Sequence, residues 1–177
     1  MLIGIPSEDF SQPAPVRFIS YANAYLQSSR AICERMGKDS SDRTWPYAGV
    51  TKLLAAHAVE LFLKGSILLR AASHLKKVNH DLSKLKKIYD ENYTEPQFEW
   101  DFDGIDDYLG FREEEDIYPP SSIHNRYPVD KNGTDWPGIH FFSPEDFLTR
   151  ISQMEKDFAR IEEALKPLIA EQTSSKV

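Results

Sequence analysis

Ser143-Pro-Glu-Asp-Phe-Leu-Thr-Arg-Ile-Ser-Gln-Met-Glu-Lys-Asp-Phe-Ala-Arg-Ile-Glu-Glu-Ala-Leu-Lys-Pro-Leu168 is the stretch that decides the fold class of this chain. Ser143 can accept a hydrogen bond from a free amide of the first turn, and Pro144 needs no donor there. Glu145 and Asp146 favour the positive end of a helix. Phe142 and Phe147 stand at the spacing of a hydrophobic staple. Phe147, Ile151, Met154, Phe158, Ile161, Leu165 and Leu168 then recur by fours and threes, a seam that requires a partner helix and reads as core. From Glu171 onward the tail is expected to fray.

Working outward, the partners are found upstream. Between Val16 and Met36, the residues Phe18, Ile19, Ala22, Tyr25, Leu26, Ile32, Cys33 and Met36 form one apolar stripe, with Gly37 where a C-terminal cap belongs. Cys33 lies on or beside that stripe, so buried packing is its expected role. Pro46 suits the first turn of a second helix running to about Ala72. Its apolar residues cover more than a narrow face, which places it centrally, and leaves Lys52, Glu60, Lys64 and Arg70 as polar exceptions to explain. A shorter third helix opens at His80-Asp81, with Leu82, Leu85, Ile88 and Tyr89 inward, its lysines outward, and Asn79 or Asp81 as cap. Residues 94–142 hold five prolines and many aromatics without sustained periodicity, the pattern of a packed functional loop with at most a short helix. The expected architecture is an all-α, four-to-five-helix up-and-down bundle with a long aromatic-rich loop before the last helix. An arm over 1–12, one domain over 13–170 and a tail over 171–177 complete the division.

A chain of 177 residues with 41% apolar and 28% charged residues can bury a core without disulfides or metal. Its single cysteine excludes a disulfide framework and a thiolate zinc site, and favours a reducing, cytoplasmic setting. The first residues do not read as a signal peptide, and no run reaches the roughly 20 apolar residues of a membrane helix. A net charge of −7 argues against broad coating of DNA or RNA. The charge is uneven, however: Lys76, Lys77, Lys84, Lys86 and Lys87 precede an acidic stretch from Glu99 to Asp116. A basic site on an acidic body and simple solvated faces both fit that pattern.

Three segments together resemble the HEPN superfamily of helical bundles. Ala58-Val-Glu-Leu-Phe-Leu-Lys-Gly65 looks like its Glu-Leu-x-Leu-Lys signature, and Asn79-His80-Asp81-Leu82 its Gly-His-Asp-Leu motif. Asn125-Arg126-Tyr127-Pro128 is similar to the Arg-Tyr-Pro before the final helix. The resemblance implies a homodimer that binds RNA or a nucleotide, or serves a nucleotidyltransferase-type partner, in a defence or toxin–antitoxin setting. Its ligand-binding residues would be Glu60, Lys64, His80 and Arg126, with Tyr127 and Lys84 behind them. Glu60 and Lys64 stand at i and i+4, the favourable order for an ion pair, and Arg126 offers a planar fork for a carboxylate or phosphate. Pinning the bundle together and lining a polar cleft are both consistent with these residue types.

Catalytic HEPN proteins resemble one another in an Arg followed, after four to six residues, by His. Here none of the nine arginines has a His at that spacing. Arg70 and His74 come nearest, with three residues between. Arg126 with His124 or His140 is the remaining route to a metal-independent ribonuclease, in which a His moves protons and a guanidinium stabilises phosphate charge. A third reading is a metal-dependent DinB-like helical enzyme built on His57 and Glu60, one turn apart. A fourth is an interaction protein that recruits a partner by helix packing. No Gly-rich phosphate loop, nucleophile elbow or paired cysteines call for a cofactor or covalent catalysis. The expected function is therefore a non-catalytic binding module.

Overall fold

A computed structural model describes residues 12–77, 80–100, 129, 132–134 and 142–174. Among these, four α-helices form: α1 (Ala14–Lys38), α2 (Trp45–Arg70), α3 (Leu82–Asn92) and α4 (Pro144–Ser174). Single 3₁₀ segments at Ser40–Asp42, Ala72–Lys77 and Pro96–Phe98 join or extend them. The all-α bundle predicted from periodicity is what the chain adopts. No described helix is long and apolar enough to cross a membrane.

The helix ends follow local chemistry. Ser143 Oγ accepts the Asp146 amide at 3.1 Å, and the rings of Phe142 and Phe147 meet at 5.2 Å, so the cap and staple form as spelled. Asp81, one of the two residues offered as cap for α3, accepts the Lys84 amide at 3.0 Å; Asn79 lies outside the described residues. Two boundaries differ from expectation. Gly37 does not cap α1, which runs on to Lys38 and ends when the Asp39 amide bonds the Arg35 carbonyl. The free carbonyls there are met by Arg43, whose Nε donates to the Met36 oxygen at 2.9 Å, so a left-handed glycine is not needed. At the other end of the chain, α4 remains helical to Ser174, beyond the fraying point placed at Glu171. Gln172 Nε2 donates to the Leu69 carbonyl at 3.0 Å and holds that last turn against α2.

α1 runs antiparallel to both long neighbours. Ser29 Oγ donates to the Thr51 carbonyl, while Gly65 meets Pro15, Phe18 and Ile19. A Cβ at Gly65 would lie 3.0 Å from the Phe18 Cβ and 3.1 Å from the Pro15 oxygen, so the close α1–α2 approach requires glycine there despite its cost of about 1 kcal/mol in a helix. Against α4, Asn23 reaches Glu162 and Arg30 forms a bidentate pair with Glu155 at 2.8 and 2.6 Å. The predicted α4 seam from Phe147 to Leu165 is fully buried, and Cys33 is buried with its thiol donating to the Pro144 carbonyl. Burial, assisted by Glu145, pushes that thiol up to about 11, so it is a packing residue rather than a nucleophile.

α2 is central, packing against each of the other three helices. Phe62 stacks on Phe158 of α4 at 4.1 Å, and Trp100 closes edge-on over both rings. α3 lies along the C-terminal half of α2. Its start is beside Glu60 and its end beside Ser66 and Arg70, so it tracks α2 in the same sense, where the expected up-and-down order would have reversed it. Tyr93 donates to the Ser66 carbonyl, and Arg70 grips the Asn92 carbonyl and both oxygens of Glu95. The Arg70 guanidinium also lies over the rings of Tyr93 and Phe98. Arg70 thus fastens the exit of α3 to the end of α2, and its near-match to a catalytic Arg–His spacing has a structural explanation. The aromatic loop expected over 94–142 falls largely outside the described residues.

Candidate functional site

Helix periodicity places Glu60 toward the inner side of α2, where its carboxyl is 4% exposed. A charge in that position requires partners, because a lone buried carboxylate would lose several kcal/mol of hydration. Three residues supply them. Lys64, one turn on, donates to Oε1 at 2.7 Å. His80, just before α3, brings Nδ1 to the same oxygen at 2.8 Å. His57, one turn back, stands 3.4 Å from Oε2 through its own Nδ1 and is held by an edge-to-face contact with Tyr25 of α1.

Burial pushes the Glu60 pKa up, but hydrogen bonds from His57, Lys64 and His80, with the Lys64 charge, outweigh it. The result is a carboxyl held down at about 2, and hence an anion at neutral pH. Because Glu60 accepts, the proton between it and His80 sits on His80 Nδ1. Nε2 of His80 then has no partner among the described residues, and the side chain is 62% exposed. The cluster is a buried anchor with one exposed imidazole.

Of the residues expected to bind a ligand, Glu60, Lys64 and His80 are brought together from α2 and the start of α3. Lys84 is one turn beyond His80, exposed, and paired with Asp81 at 2.8 Å rather than with Glu60. Arg126 and Tyr127 lie outside the described residues, as do His124 and His140. His57, expected only as a metal ligand with Glu60, joins the cluster as a hydrogen-bond partner. Its three-residue spacing from Glu60 was the signal for that role; Tyr25 gave none, since it arrives from another helix. Among the described residues no group of three or more His, Cys, Asp or Glu side chains is arranged to hold a metal ion. A cation approaching Glu60 would meet the Lys64 ammonium already seated on Oε1.

The arrangement can hold an imidazole at the surface with Nε2 of the neutral ring open to accept from a ligand N–H or O–H, and it places the Lys84 ammonium, a donor for an anionic group, nearby. Comparisons of the chain with protein-family models, with characterised proteins and with solved structures each returned no match.

Proposed function

We propose that this chain is a HEPN-like binding module without nuclease activity, which contacts RNA or a free nucleotide through the face formed by His80 and Lys84 over the Glu60–Lys64 anchor. The observation that carries this reading is the convergence of Glu60, Lys64 and His80 from two helices, with the imidazole left outward. Glu60 is satisfied by its neighbours, which leaves the Lys84 ammonium as a donor for a phosphate and the Nε2 of the neutral His80 ring as an acceptor for a ribose hydroxyl or base N–H. The Lys84–Asp81 pair is an exposed one, worth roughly 0–1 kcal/mol, and yields readily to a phosphate. Arg126 and Tyr127 belong to the proposal through the sequence motif, as a phosphate fork and a stacking ring. The homodimer implied by the resemblance belongs to it as well and is read by light scattering.

The test is fluorescence anisotropy with a short labelled single-stranded RNA, alongside a cleavage assay in chelator. Saturable binding without cutting, weakened about threefold to tenfold by His80→Ala, Lys84→Ala or Arg126→Ala, is the expected result. Metal-independent cutting that disappears in Arg126→Ala would replace the module by a ribonuclease. Absence of both binding and cutting would shift the role to a protein partner of nucleotidyltransferase type.

A further inference from the structure

The outer side of the α1–α2 pair carries a stripe that the core does not absorb. On α2, Val50, Leu54, His57, Leu61, Lys64 and Leu68 recur by fours and threes, the mark of one helix face, yet none of them is buried. Val50 keeps 43% of its surface exposed and the others are half-buried. On α1, Tyr21, Tyr25, Ser28 and Ile32 recur in the same way, with Tyr21 63% exposed. The two stripes meet where Tyr25 stands edge-on to His57 at 4.7 Å. α3 packs on the Glu60 and Ser66 side of α2, and α4 on the Phe62 side, so neither covers this face. Trp100 and Phe142 also sit on the α4 side, against Phe158 and Phe147.

The same face is depleted in charge. From Phe18 to Ala31 the sequence holds one charged residue, Arg30, and its guanidinium turns to Glu155 of α4. Exposed positions along that length of α1 are filled instead by Ser20, Tyr21, Ala24, Gln27, Ser28 and Ala31. Lys64, the charged member of the α2 stripe, is already seated on Glu60. α4 is the contrast: Glu145, Asp146, Lys156, Glu163 and Lys166 stand exposed along it, as on a helix whose outer side meets water. Loss of charge together with exposed tyrosine is the composition of an interface centre.

We propose that this α1–α2 face is the contact between two copies of the chain, a closed two-fold dimer in which each face packs on the same face of its partner. It rests on the homodimer that belongs to the proposed function and gives that dimer its surface. Charge favours a second copy: a face without unpaired charge has nothing to repel its own image across a two-fold axis, and no charge pattern to select a different partner. Size favours it too. From Val50 to Leu68 the stripe is about 27 Å long, and two packed helices are about 20 Å across. That footprint, about 540 Å² before side-chain relief is counted, approaches the roughly 600–1,000 Å² per partner of a stable pair, whereas one docked helix about 10 Å wide would cover half of it. Pairing buries His57, which lies in the stripe, and leaves His80 at the margin, since His80 reaches Glu60 from the α3 side.

Light scattering on the full chain over about 1–100 μM, with Tyr21→Glu, Val50→Glu and the double variant, tests the face. The expected result is a dimeric wild type, weakened about tenfold or more by each single change and monomeric in the double variant, because like carboxylates then oppose one another in a desolvated contact. Ala159→Glu, which adds the same charge to an exposed position of α4, leaves the dimer intact. Tyr21 and Val50 are surface residues, so circular dichroism should show unchanged helicity in all three variants. A dimer that survives the double variant would overturn this face while leaving the homodimer standing. A wild type monomeric throughout would overturn both, and growth beyond two copies would overturn the closed two-fold contact. RNA binding is read separately through His80→Ala, so its failure and the failure of this face are distinct results.

Discussion

Two lysines on α2 show how the same charge on a mostly apolar helix can be handled in opposite ways. Lys64 has a carboxylate one turn back, and Glu60, His57 and His80 complete a closed hydrogen-bonded group around it. Lys52, three turns earlier, has an exposed indole as its neighbour and no carboxylate among the described residues. The first region is a pin, in which the charges satisfy one another and only an imidazole is left over. The second has no carboxylate on it among the described residues, and its ammonium lies over an indole instead. A buried charge is therefore informative about function mainly when its partners are counted.

The largest effect expected from breaking this contrast is at Glu60. Glu60→Gln removes the charge that holds Lys64 and His80 together and should lower unfolding stability by about 3 kcal/mol in urea at neutral pH. A loss below roughly 1 kcal/mol would mean the group is not a pin.

Acid titration should give a similar magnitude by a different route. The Glu60 carboxyl is held at about 2, below its ordinary 4.5, so its stabilisation is fully present above about pH 4.5. It is lost as pH falls through about 2, and amounts to about 3 kcal/mol from the size of the displacement. Wild type should therefore lose stability over that window more steeply than Glu60→Gln, measured by unfolding at a series of pH values; parallel curves would contradict the assignment.

Smaller effects sharpen the comparison. His80→Ala should cost below about 1 kcal/mol, because the ring is largely exposed, yet it should weaken RNA binding. A loss of stability well above that would make His80 part of the pin rather than the contact. Lys52→Met should have the smallest effect, from neutral to about 1 kcal/mol stabilising, since it replaces a half-buried ammonium that has no carboxylate partner among the described residues by an apolar chain. If Lys52→Met instead destabilises by more than about 1 kcal/mol, the ammonium has a structural role and the contrast with Lys64 fails.

Legibility in the sequence followed the range of the interactions. The Ser143 cap, the Phe142–Phe147 staple and the Asp81 cap involve residues a few positions apart, and all three formed. The Glu60–Lys64 pair is one turn of helix and was equally readable. Gly37 misled because its carbonyl neighbourhood is completed by Arg43 from beyond the next turn, a partner that local sequence rules do not weigh. The extra turns of α4 depend in the same way on Gln172 reaching α2.

The sequence by itself determined the four helices, the buried seam of α4 and the central place of α2, because periodicity and capping are properties of neighbours along the chain. It also marked Lys52, Glu60, Lys64 and Arg70 as charges that an apolar helix has to explain. Only the tertiary structure decided how each was answered: Arg70 by Glu95 and two aromatic rings, Glu60 by a histidine twenty positions away, and Lys52 by no carboxylate among the described residues. Those outcomes depend on which helix faces are pressed together, where desolvation makes a missing partner costly, and spacing along one strand of chain does not contain that information.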